Sequence, residues 1–497
     1  MRRIARAIVL IGATLIAGVA HAQTPAPAQA PTPAASGKST LTLSGGAAKP
    51  WTGDLDGMVK RRLIRVLVPY SKTFYFVDKA TQRGLSYDVT RLLEADLNKK
   101  LKTGNVRLHV LCVPVTRAEM IPFLVEGRGD IAMGNLTITS ERQKQVDFTY
   151  PTGRNVKEIV VAAPGTESMV TAGDLAGKEV YLRKSSSYYE SIEKLNDELG
   201  KSGKPKVKVR LAPENLEDED ILEMVNAGLV KATIVEDYIA NFWKQIFPKL
   251  TLHPGATVRT GGEIAWMIRK DSPQLKAELD AFLTRFEKSG QRTDILARYL
   301  KSTKWAKGAT SKEDMARLEQ VVALFRKYGD RYDVDYLLLM AQGYQESELR
   351  QEARSPVGAI GVMQLMPATG KDMKVGDITQ VEPNVHAGAK FIRAMMNEYY
   401  ANEPMTPLNK GLFSFAAYNA GPGRIRQLRR LSKERGLDPN VWFNNVELLA
   451  AEKIGRETVT YVSNIYKYYL AYQMIEEERA ERQKTKEAVK EGAGKSP

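Results

Sequence analysis

A nearly continuous apolar run that ends at a carboxylate constrains this chain more than any other feature. Asp335-Tyr-Leu-Leu-Leu-Met340 leads directly into Ala341-Gln-Gly-Tyr-Gln-Glu-Ser-Glu-Leu349. Apolar residues occupy almost every side of this segment, which predicts a buried helix that Asp333 or Asp335 can cap. A carboxylate at position 346 is costly to ionise in dry surroundings, so we expect a raised pKa for Glu346. An acid that keeps its proton near neutral pH can act as a general acid.

Three more blocks follow Glu346 in a fixed order. They are Ser355-Pro-Val-Gly-Ala-Ile-Gly-Val-Met-Gln-Leu-Met-Pro-Ala-Thr369, Ala416-Ala-Tyr-Asn-Ala-Gly-Pro-Gly423 and Glu457-Thr-Val-Thr-Tyr-Val462. Together with the Glu346-Ser347 pair, these blocks resemble the soluble lytic transglycosylases of the goose-lysozyme-like fold. Four blocks in the same order are a specific signal, whereas each block alone is a weak one.

The resemblance implies cleavage of the bond between N-acetylmuramic acid and N-acetylglucosamine in peptidoglycan without water. Glu346 would protonate the glycosidic oxygen and would then, as a carboxylate, accept the proton of the 6-hydroxyl of the muramoyl sugar. That hydroxyl attacks its own anomeric carbon, which gives a 1,6-anhydro product. One carboxylate suffices because an intramolecular nucleophile has a high effective molarity, so no second carboxylate needs to activate a water.

The same resemblance implies supporting roles for residues of the four blocks. Ser347 would orient the carboxylate or cap the helix, Gln364 would bond an acetamido group, and the hydroxyl of Tyr461 would reach the acid or the attacking hydroxyl. The residues expected to bind the substrate are Ser347, Ser355, Met363, Gln364, Tyr418, Asn419 and Tyr461. Val357 stands where some members of the family carry a second serine.

Two alternative functions remain open from the sequence. The second half could be an inactive wall-targeting module attached to a binding protein, although the intact Glu346-Ser347 pair favours an enzyme. It could also be a hydrolase of the lysozyme type, which would need a second carboxylate. Glu348, Glu352 and Asp335 are the candidates, and we expect each to be solvated or to cap a helix.

The first half of the chain alternates short strands with helices. Strands are predicted at 64–69, 106–113, 130–133, 158–163, 179–182, 206–211, 232–235 and 261–268, with helices between them and after them. This alternation predicts a parallel sheet in an α/β domain. The strand at 261–268 is expected to return the chain to its first lobe.

Residues 62–302 resemble the amino-acid-type periplasmic solute-binding proteins. The likeness is carried by Gly129-Asp-Ile-Ala-Met-Gly-Asn-Leu-Thr-Ile-Thr-Ser-Glu-Arg142, Val146-Asp-Phe-Thr-Tyr-Pro151 and Val235-Glu-Asp237. It implies two lobes that close on a ligand such as an amino acid or a muropeptide. Arg142 would grip a carboxylate bidentately, Asn135 and Thr137 would support it, and Asp237 would hold an ammonium group. The alternative for Arg142 is a surface ion pair with Glu141 or Asp147.

The remaining segments define the other boundaries. Residues 1–22 have the three parts of a secretory signal peptide, residues 23–61 form a Pro/Ala-rich tether, and residues 303–310 form a linker. The mostly helical catalytic domain is assigned to 311–474 and a charged tail to 475–497. A two-lobed α/β binding domain followed by a mostly α lysozyme-like domain resembles the membrane-bound lytic murein transglycosylase F family.

Composition limits the partners. The net charge of +15 favours anionic partners such as cell-wall polymer or lipid headgroups, and no compact basic and aromatic module indicates nucleic acid. The single cysteine, Cys112, excludes an intrachain disulfide, and four dispersed histidines do not have the spacing of a metal site. We therefore expect an exported enzyme with no metal or cofactor, located in the periplasm and in peripheral contact with the outer membrane.

Overall fold

A computed structural model describes residues 49–78, 80–303 and 312–493. The predicted signal peptide, most of the predicted tether and nearly all of the predicted linker lie outside these ranges. Within them, no helix is both long enough and apolar enough to cross a membrane.

The first domain is built from eleven strands and nine α-helices within residues 49–303. The strands are β1 (Leu63–Val68), β2 (Phe76–Asp78), β3 (Thr81–Arg83), β4 (His109–Pro114), β5 (Ile131–Thr137), β6 (Val146–Phe148), β7 (Gly153–Ala162), β8 (Glu179–Arg183), β9 (Lys208–Ala212), β10 (Ala232–Glu236) and β11 (Thr251–Arg269). The helices are α1 (Leu55–Arg61), α2 (Leu85–Lys100), α3 (Arg117–Val125), α4 (Ser140–Gln143), α5 (Ser187–Lys201), α6 (Asp218–Asn226), α7 (Asp237–Lys244), α8 (Pro273–Lys288) and α9 (Gln291–Leu300).

The main sheet is mixed, which corrects the predicted parallel sheet. Its strand order is β10-β7-β11-β5-β1-β4, and β6 pairs with β11. Strand β1 runs parallel to β4 and β5, but β11 runs antiparallel to β5, β6 and β7. The reason is the length of β11, which returns from the second lobe to the first. Its Thr251 lies opposite Ala162 in the second lobe, whereas its Ile268 lies opposite Ile131 in the first.

The first domain begins earlier than the sequence indicated, because residues 49–61 are packed and were wrongly assigned to the tether. The amide of Trp51 donates to the carbonyl of Gly127 at 2.7 Å. Asp54 caps α1 through the amide of Leu55 and also accepts from the amide of Leu275, both at 2.8 Å. Met58 on α1 is fully buried. Residues 49–61 therefore contribute to the core, although their composition resembles that of a linker.

The second domain is helical, and the described residues 312–493 contain no strand. Its helices are α10 (Lys312–Tyr332), α11 (Tyr336–Ser347), α12 (Pro367–Met373), α13 (Val381–Tyr400), α14 (Pro407–Ala420), α15 (Pro422–Glu434), α16 (Glu447–Lys453) and α17 (Arg456–Ala493). Helix α17 runs straight through the predicted boundary at 474. Ile475 is only 3% exposed, so the segment after 474 is partly core rather than a detached tail.

Polar and apolar contacts join the two domains directly. Arg62 binds Glu447 with two parallel hydrogen bonds of 2.8 and 2.9 Å, and Lys467 on α17 pairs with Glu94 on α2 at 2.7 Å. The hydroxyl of Tyr472 donates to the carbonyl of Ala80 at 2.8 Å. One apolar cluster extends from α2 and α8 into α11 and α17, so the first lobe and the catalytic domain share a core.

Candidate active site

Helix α11 forms as the apolar run predicts, and it carries Glu346 into the interior of the second domain. Asp335 caps the helix by accepting from the amide of Leu337 at 2.9 Å, as expected. A Cβ at position 343 would lie 2.8 Å from the ring of Phe325, so only glycine allows α10 to pack this closely. The helix ends at Ser347, and Glu348 follows in a left-handed conformation with φ of 56°.

The carboxyl group of Glu346 lies in a dry environment with one strong partner. The hydroxyl of Tyr461 on α17 donates to its Oε1 at 2.5 Å. Burial raises the pKa of Glu346 to about 7, and the bond from Tyr461 opposes this rise because it stabilises the carboxylate. The residue nevertheless keeps part of its surface exposed, so a substrate can approach it. A half-protonated carboxyl group near neutral pH is suited to donate a proton and to take one back.

A buried glutamine stands behind this pair. Gln342 lies one helical turn before Glu346 on α11 and is fully buried. Its Nε2 lies 3.4 Å from the hydroxyl of Tyr461, and no hydrogen-bond partner of its Oε1 is found among the described residues. The amide can donate to Tyr461 in one orientation and can accept from it in the other. Gln342 can therefore support Tyr461 whether Glu346 is protonated or ionised.

Ser347 supports the helix end and has no recorded contact with the acid. Its hydroxyl donates to the carbonyl of Val362 at 2.8 Å and accepts from the amide of Arg350 at 3.1 Å. These bonds tie the end of α11 to the loop of residues 351–366. Ser347 was predicted either to orient the carboxylate or to cap the helix, and these contacts correspond to capping of the helix end.

The structure corrects the role of Met363, whose side chain was expected to bind the substrate. Met363 is fully buried, and its side chain fills the space that a Cβ at Gly388 would occupy. A side chain in this position cannot touch a substrate. The backbone of Met363 nevertheless makes two hydrogen bonds. Its carbonyl accepts from the hydroxyl of Tyr418 at 2.7 Å, and its amide donates to the side chain of Asn384 at 2.8 Å.

Tyr418 and Asn419 lie at the end of α14 and are both partly exposed. Burial, together with the negative charge of Glu346, raises the pKa of Tyr418 well above its usual value. Asn419 accepts a 2.6 Å bond from the hydroxyl of Thr458 and so joins α14 to α17. Both residues remain predicted substrate contacts.

Ser355 and Gln364 shape the loop that follows α11. The hydroxyl of Ser355 accepts from the amide of Ala359 at 2.9 Å, and the side-chain amide of Gln364 donates to the carbonyl of Gly361 at 2.9 Å. Gln364 has a φ of 45°, which is unusual for a residue with a side chain. Both side chains are partly exposed and stay available as predicted substrate contacts.

None of the alternative carboxylates joins Glu346. Glu348 and Glu352 are exposed, and Asp335 caps the opposite end of α11 while it accepts from the hydroxyl of Tyr469 at 2.7 Å. The described residues also contain no group of three or more side chains suited to hold a metal ion. Among the described residues, the site therefore offers one acid, the phenols of Tyr461 and Tyr418, the hydroxyl of Ser355 and amide groups.

The residues of the predicted amino-acid clamp lie between the two lobes of the first domain, where they already have partners. Arg142 does not pair with Glu141 or Asp147; it donates to the carbonyls of Thr137 and Ser185, in opposite lobes, at 2.8 and 2.9 Å. The hydroxyl of Tyr238 bonds the side chain of Asn135. Asp237, the first residue of α7, accepts from the amide of Tyr238 at 3.0 Å.

Direct ion pairs also cross the cleft between the lobes. Arg117 of the first lobe binds Glu217 of the second through Nε at 3.0 Å and through a second nitrogen at 2.9 Å. Glu219 accepts from the amide of Lys72 at 2.6 Å. Sequence reasoning missed these residues and also Gln342. The signal for Gln342 was present as a polar residue four positions before Glu346 within an apolar run.

Comparison with known families agrees with this division of the chain. Residues 64–302 match the bacterial extracellular solute-binding proteins of family 3, and residues 323–440 match the transglycosylase SLT domain. The chain thus joins a segment similar to the family 3 solute-binding proteins to a segment similar to the transglycosylase SLT domain.

Curated relatives that match most of the chain include proteins named membrane-bound lytic murein transglycosylase F. A relative from Desulfosudis oleivorans is 25% identical over 82% of this chain and 89% of its own length. A relative from Aeromonas hydrophila subsp. hydrophila is 28% identical over 88% of each chain. The chain is therefore a homologue of these proteins over most of its length. Among solved structures, an ancestral arginine-binding protein bound to glutamine is 22% identical, with a TM-score of 0.40, and covers 49% of this chain and 99% of its own.

Proposed function

We propose that this protein is a peptidoglycan lytic transglycosylase that cleaves the β-1,4 bond between N-acetylmuramic acid and N-acetylglucosamine. The single observation that carries the proposal is the carboxyl group of Glu346, which is partly exposed to a substrate, has a pKa of about 7 and accepts a hydrogen bond from Tyr461. Glu346 protonates the leaving oxygen and then takes the proton of the 6-hydroxyl of the muramoyl sugar. The products are a 1,6-anhydromuramoyl end and a free N-acetylglucosamine hydroxyl, and no water is consumed.

Tyr461 supports both halves of this cycle. While Glu346 is protonated, the phenol oxygen can accept; once Glu346 is ionised, the phenol hydroxyl donates and stabilises the carboxylate. Burial, with the neighbouring charge of Glu346, raises the pKa of Tyr461 well above its usual value, so it stays a neutral donor. Ser355, Gln364, Tyr418 and Asn419 are proposed to hold the sugars, whereas Ser347 fixes the helix end.

Product analysis tests the reaction. Purified sacculi are digested with the wild type and with Glu346→Gln, and the soluble products are weighed by mass spectrometry. We expect anhydro-muropeptides from the wild type and none from the variant. Products heavier by one water would establish a hydrolase instead. Equal release by both proteins would establish the wall-targeting alternative.

We propose that the enzyme works in the periplasm, with peripheral contact to the outer membrane. The amino-terminal segment supports export, the basic charge supports contact with anionic headgroups, and the relatives are named membrane-bound. Cell fractionation with intact-mass measurement tests this. A mature protein that begins at Gln23 and partitions between soluble and outer-membrane fractions, with the membrane share released by salt, is the expected result.

We further propose that the first domain regulates the second through a ligand bound between its lobes, where Arg142, Asn135, Thr137 and Asp237 form the clamp. Helix α17 supports this, because it carries Tyr461, pairs with the first lobe through Lys467 and reaches the second lobe through Lys486, which lies 2.7 Å from Asp220. Calorimetry with amino acids and muropeptides, on the wild type and Arg142→Ala, is the test. Absence of binding to both proteins contradicts the proposal.

A further inference from the structure

A cavity of about 420 Å³ lies beside the hinge of the solute-binding domain and is not part of the clamp around Arg142. Its walls come from the start of α2, the end of β5, the hinge segments of β7 and β11, and helices α8 and α9. Tyr238 of α7 closes it from the second lobe. This volume is within the range typical of small-molecule sites in proteins.

The wall of the cavity is mainly apolar. The apolar side chains that line it are Phe74, Leu85, Val89, Met133, Val156, Ile264, Trp266, Phe286, Ile295, Leu296 and Leu300, with Tyr238 at one side. The apolar part of the wall offers few groups that can bond water, and leaving it empty forfeits dispersion contacts. An apolar molecule that fills it would recover those contacts.

The charged residues at the cavity have one sign. Arg154, Arg292 and Lys301 line it, and no aspartate or glutamate does. Arg154 and Lys301 are exposed, so their charges meet solvent at the rim, while Arg292 bonds the carbonyl of Thr152. Arg154 also pairs with Glu263 at 3.6 Å, so the three cations outnumber the one nearby carboxylate and the cavity mouth favours a carboxylate over an ammonium group.

We propose that this cavity is a binding site for an amphipathic monocarboxylate of the medium-chain fatty-acid class. The chain lies among Val89, Trp266 and Leu296, and the carboxylate lies at the rim beside Arg154 and Lys301. The site is distinct from the clamp, since its body is apolar and it binds no ammonium group. It borders the clamp at Asn135, so one ligand can influence the other. The proposal does not depend on the chemistry of Glu346.

Calorimetry of the full chain with decanoate, below its micelle concentration, tests the site. We expect one decanoate per chain, with a negative heat-capacity change that marks apolar burial. Decanol, which has the same tail without the charge, should bind at least tenfold more weakly. No decanoate binding, or equal binding of decanol, overturns the proposal.

Variants locate the binding. Leu296→Trp should fill the cavity and weaken binding at least tenfold, while Arg154→Gln and Lys301→Gln, which are exposed and leave the core intact, should each weaken it a few-fold at low salt. Lys288→Gln removes one charge from an exposed position outside the cavity and is the matched control. Quenching of Trp266, assigned by comparison with Trp266→Phe, gives an independent signal. Binding that all these variants leave unchanged refutes the site.

Discussion

The hydroxyl of Tyr461 lies 2.5 Å from Oε1 of Glu346, although 115 residues separate the two in the chain. This contact sets the pKa of the acid as the balance of two effects. Burial favours the protonated form, and the phenol favours the ionised form. The balance lies at about 7, where both forms are available.

Removing the phenol should shift this balance. In Tyr461→Phe the carboxylate loses the one side-chain donor that it has among the described residues, so the pKa of Glu346 should rise and the alkaline limb of the kcat–pH profile should move to higher pH. Activity at neutral pH should fall about 10- to 100-fold, because the ionised form no longer has its donor in the proton-accepting step. Turnover of a defined glycan at several pH values measures both changes. An unshifted limb would show that the phenol does not act on the acid.

In the wild type, activity should decline as pH rises through about 7, because the first step requires protonated Glu346. The same measurement with Glu352→Gln, which changes an exposed carboxylate close in sequence, is the control and should give the wild-type profile. If Glu352→Gln moved the alkaline limb away from about pH 7, the assignment of Glu346 as the acid would be contradicted.

Gln342→Leu should separate support of Tyr461 from simple packing. Leucine fills the buried position without a polar atom, so stability should be maintained or slightly increased. The alkaline limb of the kcat–pH profile should move to higher pH, as in Tyr461→Phe but by a smaller amount, because the phenol of Tyr461 becomes a weaker donor to Glu346. Gln342→Met, which is closer in shape to glutamine, should shift the limb equally if the amide matters. An unchanged limb in both variants would limit Gln342 to packing.

The raised pKa of Glu346 also predicts a dependence of stability on pH. The folded state holds the proton more tightly than the unfolded state, so wild-type stability should fall as pH rises from about 4.5 to about 7. Glu346→Gln lacks this loss and should be more stable at pH 8 by up to about 3 kcal/mol, with little difference at pH 4. Thermal unfolding of both proteins at the two pH values measures this. A difference that does not grow with pH would contradict the raised pKa.

The Glu94–Lys467 pair should link the domains energetically. Burial raises the pKa of Glu94, but Lys467 and Arg91 outweigh it and lower the pKa to about 2. Lys467→Met leaves the buried carboxylate of Glu94 with the half-exposed Arg91 as its remaining ion-pair partner and should cost up to about 3 kcal/mol, whereas adding Glu94→Gln should recover much of that loss. Urea unfolding followed by separate probes in the two domains measures it. Additive losses would show that the pair does not couple.

Most of the fold follows from periodicity. Eight of the eleven strands of the first domain overlap predicted strands, whereas the three-residue strands β2, β3 and β6 were not predicted, and α11 carries the acid as the apolar run indicated. The mixed sheet was missed because nothing local shows that β11 pairs with three strands of both lobes. The packing of residues 49–61 was not predicted because this short segment contains few apolar residues. The burial of Trp51 and Met58 depends on partners that are distant in the sequence.

The residues of the candidate active site could be predicted where they belong to one continuous motif. They were harder to predict where their positions depend on contacts between distant parts of the chain. Glu346 and Tyr461 come together as expected. Met363 was misplaced because spacing cannot tell a side chain that faces a cleft from one that faces Gly388 beneath it. The partners of Arg142 depend on how far the lobes close, and sequence carries no record of that.

Helix α17 begins at Arg456 and ends at Ala493 without interruption. If the chain were cut between its two domains, the catalytic fragment would have Lys467 in contact with water instead of Glu94. The rings of Tyr344 and Tyr472 would also become exposed to solvent. Such a fragment would tend to aggregate, so the enzyme has to be expressed and assayed whole.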